Sequence, residues 1–248
     1  MWKIWEMVYY VFPNRKEMGR KAAKDIAKYI RKIGSEQEDV RIVFAAAPSQ
    51  LDLFAALIEE RIDWTKVTAF HMDEYIGLNQ GDVEQFGQYL TEHLFKYLSL
   101  KQIHLMSGKG DDEELKRYAQ LIQEQPIDLV CLGIGENGHL AFNDPPVADF
   151  SDKQVIKVVE LDEVCRQQQV NDGCFASLNA VPTNAVTLTI PTLLSAKKLF
   201  CIVPGVMKEK AVTATIKEPI STDWPSTILR THKDVVLYAD RKSFPGVQ

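Results

Sequence analysis

The chain has 248 residues, of which 46% are hydrophobic and 25% charged, and its formal net charge is −5. These values are ordinary for a globular protein and give enough chain for one large α/β domain covering residues 1–248. The acidic balance argues against a nucleic-acid surface, and no apolar stretch approaches the ~18 residues that would span a membrane.

Taken in chain order, the hydrophobic pattern alternates between short strands and helices. Val8 to Phe12 reads as a first strand, and Lys16 to Lys32 as an amphipathic helix ending at Gly34. Arg41 to Ala46 is a strand, followed by a helix from Gln50 to Arg61 with Ser49 as its cap. Strand 67–72 precedes a helix from Gln85 to Leu98 and a short strand from Gln102 to Met106. Asp111 to Glu124 is a helix with three acids in its first turn, as the macrodipole favours. Strand 127–132 follows, then strands at Gln154 to Glu160, Ala185 to Ile190 and Leu199 to Val203. A helix from Met207 to Ile216, a helical turn at Pro225 to Arg230 and a strand from Val235 to Ala239 complete the chain. Such alternation predicts a single doubly wound, mostly parallel sheet with helices on both faces.

The N-terminus carries Glu6 and Asn14-Arg15-Lys16 without a long apolar segment, so no signal peptide is expected. The spacing of Cys131, Cys165, Cys174 and Cys201 matches no zinc pattern. Cys131 and Cys201 lie in apolar runs and are expected in the core. A reducing cytoplasm fits this usage.

Two strand ends carry the chemistry. Gly133-Ile134-Gly135-Glu136-Asn137-Gly138 spells the glycine pattern of a dinucleotide site. A dinucleotide site needs a helix to begin among the glycines, whereas this segment meets Pro145-Pro146 six residues after Gly138-His139 begins its turn, which argues against that reading. What remains is a Rossmann-like strand end without a dinucleotide: a loop holding the imidazole of His139 and the carboxylate of Asp144, five residues on. The other cluster is Asp73-Glu74-Tyr75, at the end of strand 67–72. Each cluster alone could serve as turn or capping chemistry. Two polar clusters at the carboxyl rim of one parallel sheet favour a site. His71, His93, His104 and His232 are expected to be structural, and Trp64 and Trp224 to pack, with Trp224 close to a segment able to line the pocket.

Phe70-His71-Met72-Asp73-Glu74-Tyr75-Ile76-Gly77-Leu78 and Leu132 to Pro145 together resemble the glucosamine-6-phosphate deaminase (isomerase) family, whose relatives include the 6-phosphogluconolactonases. Val181 to Leu188, Gly205 to Ala211 with Lys208, and Pro225 to His232 resemble further segments of that family. The resemblance implies that Asp73 is the base removing the C2 proton of an open-chain amino sugar and that His139 helps to open the pyranose ring. It places Asp144 where the family usually has a glutamate orienting the histidine, and Asn137 where members have aspartate or asparagine. Asp73, His139, Asp144 and Asn137 are thus the expected catalytic set, and Ser49, Glu74, Gly135, Gly138 and Lys208 the expected substrate-binding set, with Lys208 on phosphate. The types suit the chemistry: an aldose–ketose shift needs a carboxylate base, and ring opening a group titrating near neutrality. No metal and no organic cofactor are implied. The expected partner is a small-molecule sugar phosphate, and homo-oligomerisation is left open.

Two departures bear on the phosphate. The family cradles it in a glycine-bearing loop, but this chain has Ala45-Ala46-Ala47-Pro48-Ser49-Gln50, and Pro48 lacks an N–H. Members often add an arginine, but the segment from Arg166 to Gly173 has no second one. Because Lys208 and Ser49 survive, weakened but retained phosphate binding is the expectation. The competing readings are a lactone hydrolase on the same fold and a non-catalytic sugar-phosphate sensor.

Overall fold

The computed structural model describes residues 5–79 and 81–246. The described strands are β1 (Val8–Phe12), β2 (Val40–Phe44), β3 (Val67–His71), β4 (Asp73–Tyr75), β5 (Gln102–His104), β6 (Leu129–Leu132), β7 (Ile156–Glu160), β8 (Asn184–Leu188), β9 (Lys198–Val203) and β10 (Val235–Asp240). The α-helices are α1 (Arg15–Gly34), α2 (Leu51–Ile58), α3 (Phe86–His93), α4 (Asp112–Gln123), α5 (Glu163–Asn171), α6 (Ile190–Leu194) and α7 (Glu209–Lys217).

Seven strands form a sheet in the order β1-β10-β9-β6-β2-β3-β5, with every pairing parallel. Alternate residues of its central strands enter different cores. Ile42, Phe44, Leu129, Cys131, Phe200 and Ile202 pack against α1, α2 and α3 on one face. Val43, Val130, Leu132, Leu199, Cys201 and Val203 pack with α4, α6 and α7 on the other. Strands buried on both sides read as continuous apolar runs, which is why they were legible. The doubly wound, mostly parallel expectation holds, and Cys131 and Cys201 are core residues.

Local chemistry starts several helices. Asn14 accepts from the Glu17 N–H ahead of α1, Asp111 from the Glu114 N–H ahead of α4, and Asp162 from the Cys165 N–H ahead of α5. The expected Ser49 cap is not formed. Pro48–Gln50 is a 3-10 turn whose extended leading residue is Ala47, and no side chain caps α2. The predicted 85–98 helix stops at His93 and resumes as a 3-10 turn over Phe95–Tyr97, because Leu94 leaves the helical region.

A second sheet, β4-β8-β7, is antiparallel and was not anticipated. The strands expected near 154–160 and 185–190 therefore exist but belong to it. It joins the large sheet where Met72 O accepts from the Leu188 N–H. Asp73 pairs with Thr187 immediately beyond that point. The chain thus leaves one sheet and enters another at the residue singled out as a base.

Candidate active site

Strands β2, β3, β6 and β9 are neighbours in the sheet, and the segments following their carboxyl ends converge on one cavity. Ala45–Ser49, Met72–Asp73, Gly133–Gly135 and Lys208 come from these four ends, and Gln168 and Gln169 of α5 and its C-cap Asp172 also line it. The sheet order reverses between β2 and β6, the crevice where open α/β sheets take ligands. Gln50 bridges the rim by donating to Ile202 O at 3.1 Å and to the Ser49 hydroxyl at 3.1 Å.

Asp73 is 6% exposed and lines the cavity, and its carboxyl has no hydrogen-bond partner among the described residues. Burial pushes its carboxyl well above the ordinary carboxylate range, reinforced by the nearby acids Glu74 and Asp144. Asp73 is therefore a buried acid with a free carboxyl, of the kind a general base requires.

His139 lines the same cavity. Its Nδ1 meets Asp144 Oδ1 at 2.8 Å, which leaves Nε2 without a partner among the described residues. Asn137 braces this pair twice, donating from Nδ2 to Asp144 Oδ1 at 2.8 Å and accepting the His139 N–H at 3.1 Å. Burial alone would raise the Asp144 pKa, but the imidazole, the Asn137 amide and the Cys165 thiol hold it below the usual value. The ionised carboxylate fixes the Nδ1–H tautomer and aims Nε2 at the cavity. Asp144 is shorter than a glutamate but still reaches the ring. His139, Asp144 and Cys165 place ligand-type atoms within 4.8 Å of one another, and the Nδ1–Oδ1 bond already joins two of the three.

The glycines explain the loop. A Cβ on Gly135 would fall within the His139 imidazole, so the ring lies directly over residue 135. Gly138 has φ of +85° and a Cβ there would come 3.0 Å from the Trp224 ring. Gly135 lines the cavity, whereas Gly138 does not: it admits the Trp224 segment against the loop, and the Ser226 N–H donates to its carbonyl. Ala141 is held at φ +51°, the one non-glycine residue with positive φ among those described, and lines the cavity. Thr187 couples the loop to Asp73. It pairs with Asp73 in the antiparallel sheet, and its hydroxyl accepts from the Phe142 N–H at 3.1 Å. Asn143 adds bonds to Leu140 O and Leu188 O at 2.8 and 2.9 Å.

Glu74 is corrected by the structure. It does not line the cavity; its oxygens accept the N–H groups of Tyr75, Phe86 and Gly87 at 2.9–3.0 Å, pinning the start of α3. Burial raises its pKa to about 7 even though those three donors favour the anion. Its consequence for the cavity is indirect, through Phe86, which lines it. Arg166 is likewise taken up elsewhere, bonding Leu178 O at 2.7 Å and Val181 O at 3.0 Å. Ser49 and Lys208 do line the cavity. Lys208 is 7% exposed; its N–H donates to Gly205 O at 3.1 Å, and its ammonium makes no hydrogen bond or ion pair with any described residue. Burial lowers its pKa, while Asp172, Glu136 and Cys165 pull it back up.

Sequence reasoning did not find Gln168, Gln169 and Asp172 as cavity residues, because a run of glutamines has no apolar period to mark a helix. The one available signal was the cap at Asp162, three residues before Cys165. Two of the other histidines, His71 and His232, are structural as expected. His71 Nε2 accepts the Met106 N–H at 2.7 Å, and burial lowers its pKa to about 3. His232 Nε2 meets Ala196 O at 2.8 Å.

Comparison with known proteins gives the same location in family space. The family model described as glucosamine-6-phosphate isomerases/6-phosphogluconolactonase matches residues 13–238. The chain belongs to this family. Glucosamine-6-phosphate deaminase of Lactobacillus delbrueckii subsp. bulgaricus is 29% identical over 237 residues, covering 95% of this chain and 97% of that one. The Bacillus cereus protein of the same name is 31% identical over 218 residues, covering 87% and 81%. A solved monomeric glucosamine-6-phosphate deaminase superposes with a TM-score of 0.86 at 29% identity, covering 96% and 98%. A 6-phosphogluconolactonase from Thermotoga maritima superposes at 0.77 with 18% identity, covering 95% and 100%, which speaks to the fold alone. The chain is an enzyme of the glucosamine-6-phosphate deaminase-like kind. Among the described residues no helix is long and apolar enough to cross a membrane.

Proposed function

We propose that the protein catalyses isomerising deamination of a 2-amino-2-deoxy aldose, the reaction type named for its relatives. The observation that carries this reading is the pairing, in one cavity, of the unpartnered buried carboxyl of Asp73 with the free Nε2 edge of a His139 whose tautomer Asp144 fixes.

The chemistry follows from those two groups. His139 Nε2 takes the proton from the anomeric hydroxyl and returns it to the ring oxygen, opening the pyranose. Asp73 takes the proton from C2 of the aldehyde form, and that electron pair becomes a C1–C2 double bond as the C1=O π pair moves onto O1, which takes a proton from the C2 ammonium to give an enolamine. Return of that proton to C1 gives the 2-imino ketose, which water hydrolyses to ketose and ammonia. A raised Asp73 pKa helps the step, since a stronger base is better matched to a carbon acid. Asn137 and Asp144 position the imidazole, and Glu74 positions α3. The lactone-hydrolase reading has no observation of its own, because water attack on a lactone gives Asp73 nothing to deprotonate at C2.

The test is ammonia and ketose formation from glucosamine 6-phosphate and from glucosamine, each supplied at saturating concentration. Fructose 6-phosphate or fructose is expected together with stoichiometric ammonia. Absence of both products from both sugars would overturn the reading.

A further inference from the structure

The turn that carries His139 is closed on itself. The Gly138 N–H donates to Gly135 O at 3.0 Å, the Gly135 N–H to His139 O at 3.0 Å, and the His139 N–H to Asn137 Oδ1 at 3.1 Å. These bonds set the shape of the turn but not its place over the cavity. Two hydrogen bonds from other elements set the place. The Ser226 N–H donates to Gly138 O at 2.8 Å, and the Glu136 N–H donates to Gln168 Oε1, on α5, at 2.8 Å. The second bond holds the Gly135–Glu136 peptide, and the His139 ring lies directly over Gly135.

Gln168 is 7% exposed, and both ends of its amide have protein partners. Oε1 accepts the Glu136 N–H, while Nε2 donates to Asp172 Oδ2 at 3.3 Å. An N–H can be met only by the amide oxygen and a carboxylate only by the amide nitrogen, so the two partners fix which way the group points. Cys165 stands three residues earlier on α5 and shares this face of the helix. Its sulfur, the Asp144 carboxylate and the His139 ring nitrogen lie within 4.8 Å of one another. One face of α5 thus meets the loop at two places, beside the Asp144–His139 pair and at the Gly135–Glu136 peptide. Arg166 anchors the same helix to Leu178 O at 2.7 Å and Val181 O at 3.0 Å.

We infer that Gln168 is a positioning residue for the His139 imidazole: its side chain clips α5 to the Gly135–Glu136 peptide and so holds the ring over the cavity. Released from that bond, the closed turn can tilt about its remaining contact with Ser226 and carry the ring with it. The inference rests on the deaminase reading for turnover, but the bond itself is measured without turnover.

The experiment uses the full chain and four variants. Gln168→Met keeps the length of the side chain and removes the amide. Gln168→Glu keeps an acceptor for the Glu136 N–H but sets a carboxylate against Asp172. Asp172→Asn serves as a control, and added to Gln168→Glu it restores the second bond with donor and acceptor exchanged. Exchange of the Glu136 amide hydrogen is followed by NMR, and ammonia release is measured with glucosamine 6-phosphate and with glucosamine. Gln168→Met is expected to speed that exchange ~10-fold or more and to lower kcat ~10-fold or more, with KM within about threefold of wild type. Gln168→Glu is expected to lower kcat similarly, and the double variant to return to within about threefold of Asp172→Asn alone. A glutamine that only stabilises the fold would lower the melting temperature, leave kcat unchanged and show no rescue. A Glu136 amide unprotected in the wild type, a Gln168→Met kcat within about twofold of wild type, or a double variant no better than Gln168→Glu each overturns the inference. If the exchange rates follow the expected order and neither sugar releases ammonia, the clip stands and the deaminase reading falls.

Discussion

Replacing Gly135 with alanine isolates the contribution of the imidazole. The new Cβ would land on Cε1, Nδ1 and Nε2 of His139, where contacts normally begin at about 3.4 Å. Gly135 does not occupy the left-handed region, so the alanine backbone is unstrained and the clash falls on the ring. The imidazole must retreat by ~1 Å or more, which takes the 2.8 Å Nδ1–Oδ1 contact out of hydrogen-bonding range. A misplacement of ~1 Å costs ~10²-fold, and loss of an acid–base group ~10²–10⁴-fold. Gly135→Ala is therefore expected to lower kcat/KM by ~10²–10³-fold, about 2.7–4 kcal/mol of barrier, with a smaller loss of stability of ~1–3 kcal/mol from overpacking. A coupled assay of ammonia release on the wild type, Gly135→Ala, His139→Ala and the double variant closes a cycle. In the His139→Ala background the extra methyl has a vacated ring to occupy and is expected to add no loss. Equal losses in both backgrounds, or wild-type turnover by Gly135→Ala, would refute the placement of the ring over residue 135.

Asp73→Asn is expected to reduce turnover ~10²–10⁴-fold with binding of 2-amino-2-deoxyglucitol within a few-fold of wild type; turnover above a tenth of wild type would remove Asp73 from the mechanism. The same residue sets a pH dependence. Its folded pKa is raised, so the native state binds the extra proton and stability falls as pH climbs from the ordinary carboxylate value through the raised one. Asp73→Asn should then raise the melting temperature more at pH 8 than at pH 5, and calorimetric shifts equal at the two pH values would count against the burial argument. Because the base works ionised, kcat/KM of the wild type should fall as pH drops through that raised value. Thr187→Val leaves the Phe142 N–H without its acceptor, and a loss of ~1–3 kcal/mol in urea unfolding is expected; an unchanged midpoint would show that the hydroxyl does not hold the loop. Arg166→Ala should lower the melting temperature and leave KM within about twofold, whereas a tenfold rise in KM confined to glucosamine 6-phosphate would restore a phosphate role to Arg166.

The parts of the fold that were legible are those where burial dominates. Val40–Phe44, Val67–His71 and Leu129–Leu132 are buried on both faces and mostly apolar, and their strand character needs no context. The strand Asp73–Tyr75 was not legible, since two adjacent acids before a tyrosine carry no strand pattern and are held there by pairing with β8. Helix Glu163–Asn171 was missed because Gln168 and Gln169 replace the apolar residues a buried face normally shows. Both failures fall at the cavity, where side chains serve a ligand and not the core. The site itself was half legible. Asp73, His139, Asp144 and Asn137 stand in motifs whose residue types declare their chemistry, and the structure brings them together. Glu74 was misjudged because adjacency to Asp73 in a strand puts it on the opposite face, toward the N–H groups of α3. Asp172 was out of reach, because only the fold brings it to the cavity that Lys208, 36 positions away in the chain, also lines.

Removal of the C2 proton is the step on which the functional reading depends, and deuterium at that carbon reports it directly. The wild-type enzyme is supplied with 2-deuterio glucosamine and with its 6-phosphate, and the ketose is followed by NMR alongside ammonia release. Deuterium should leave C2, appearing at C1 or in solvent, with a primary isotope effect on kcat/KM, and both should vanish with the turnover of Asp73→Asn. Deuterium retained at C2 in a ring-opened product formed without ammonia would contradict Asp73 as the base.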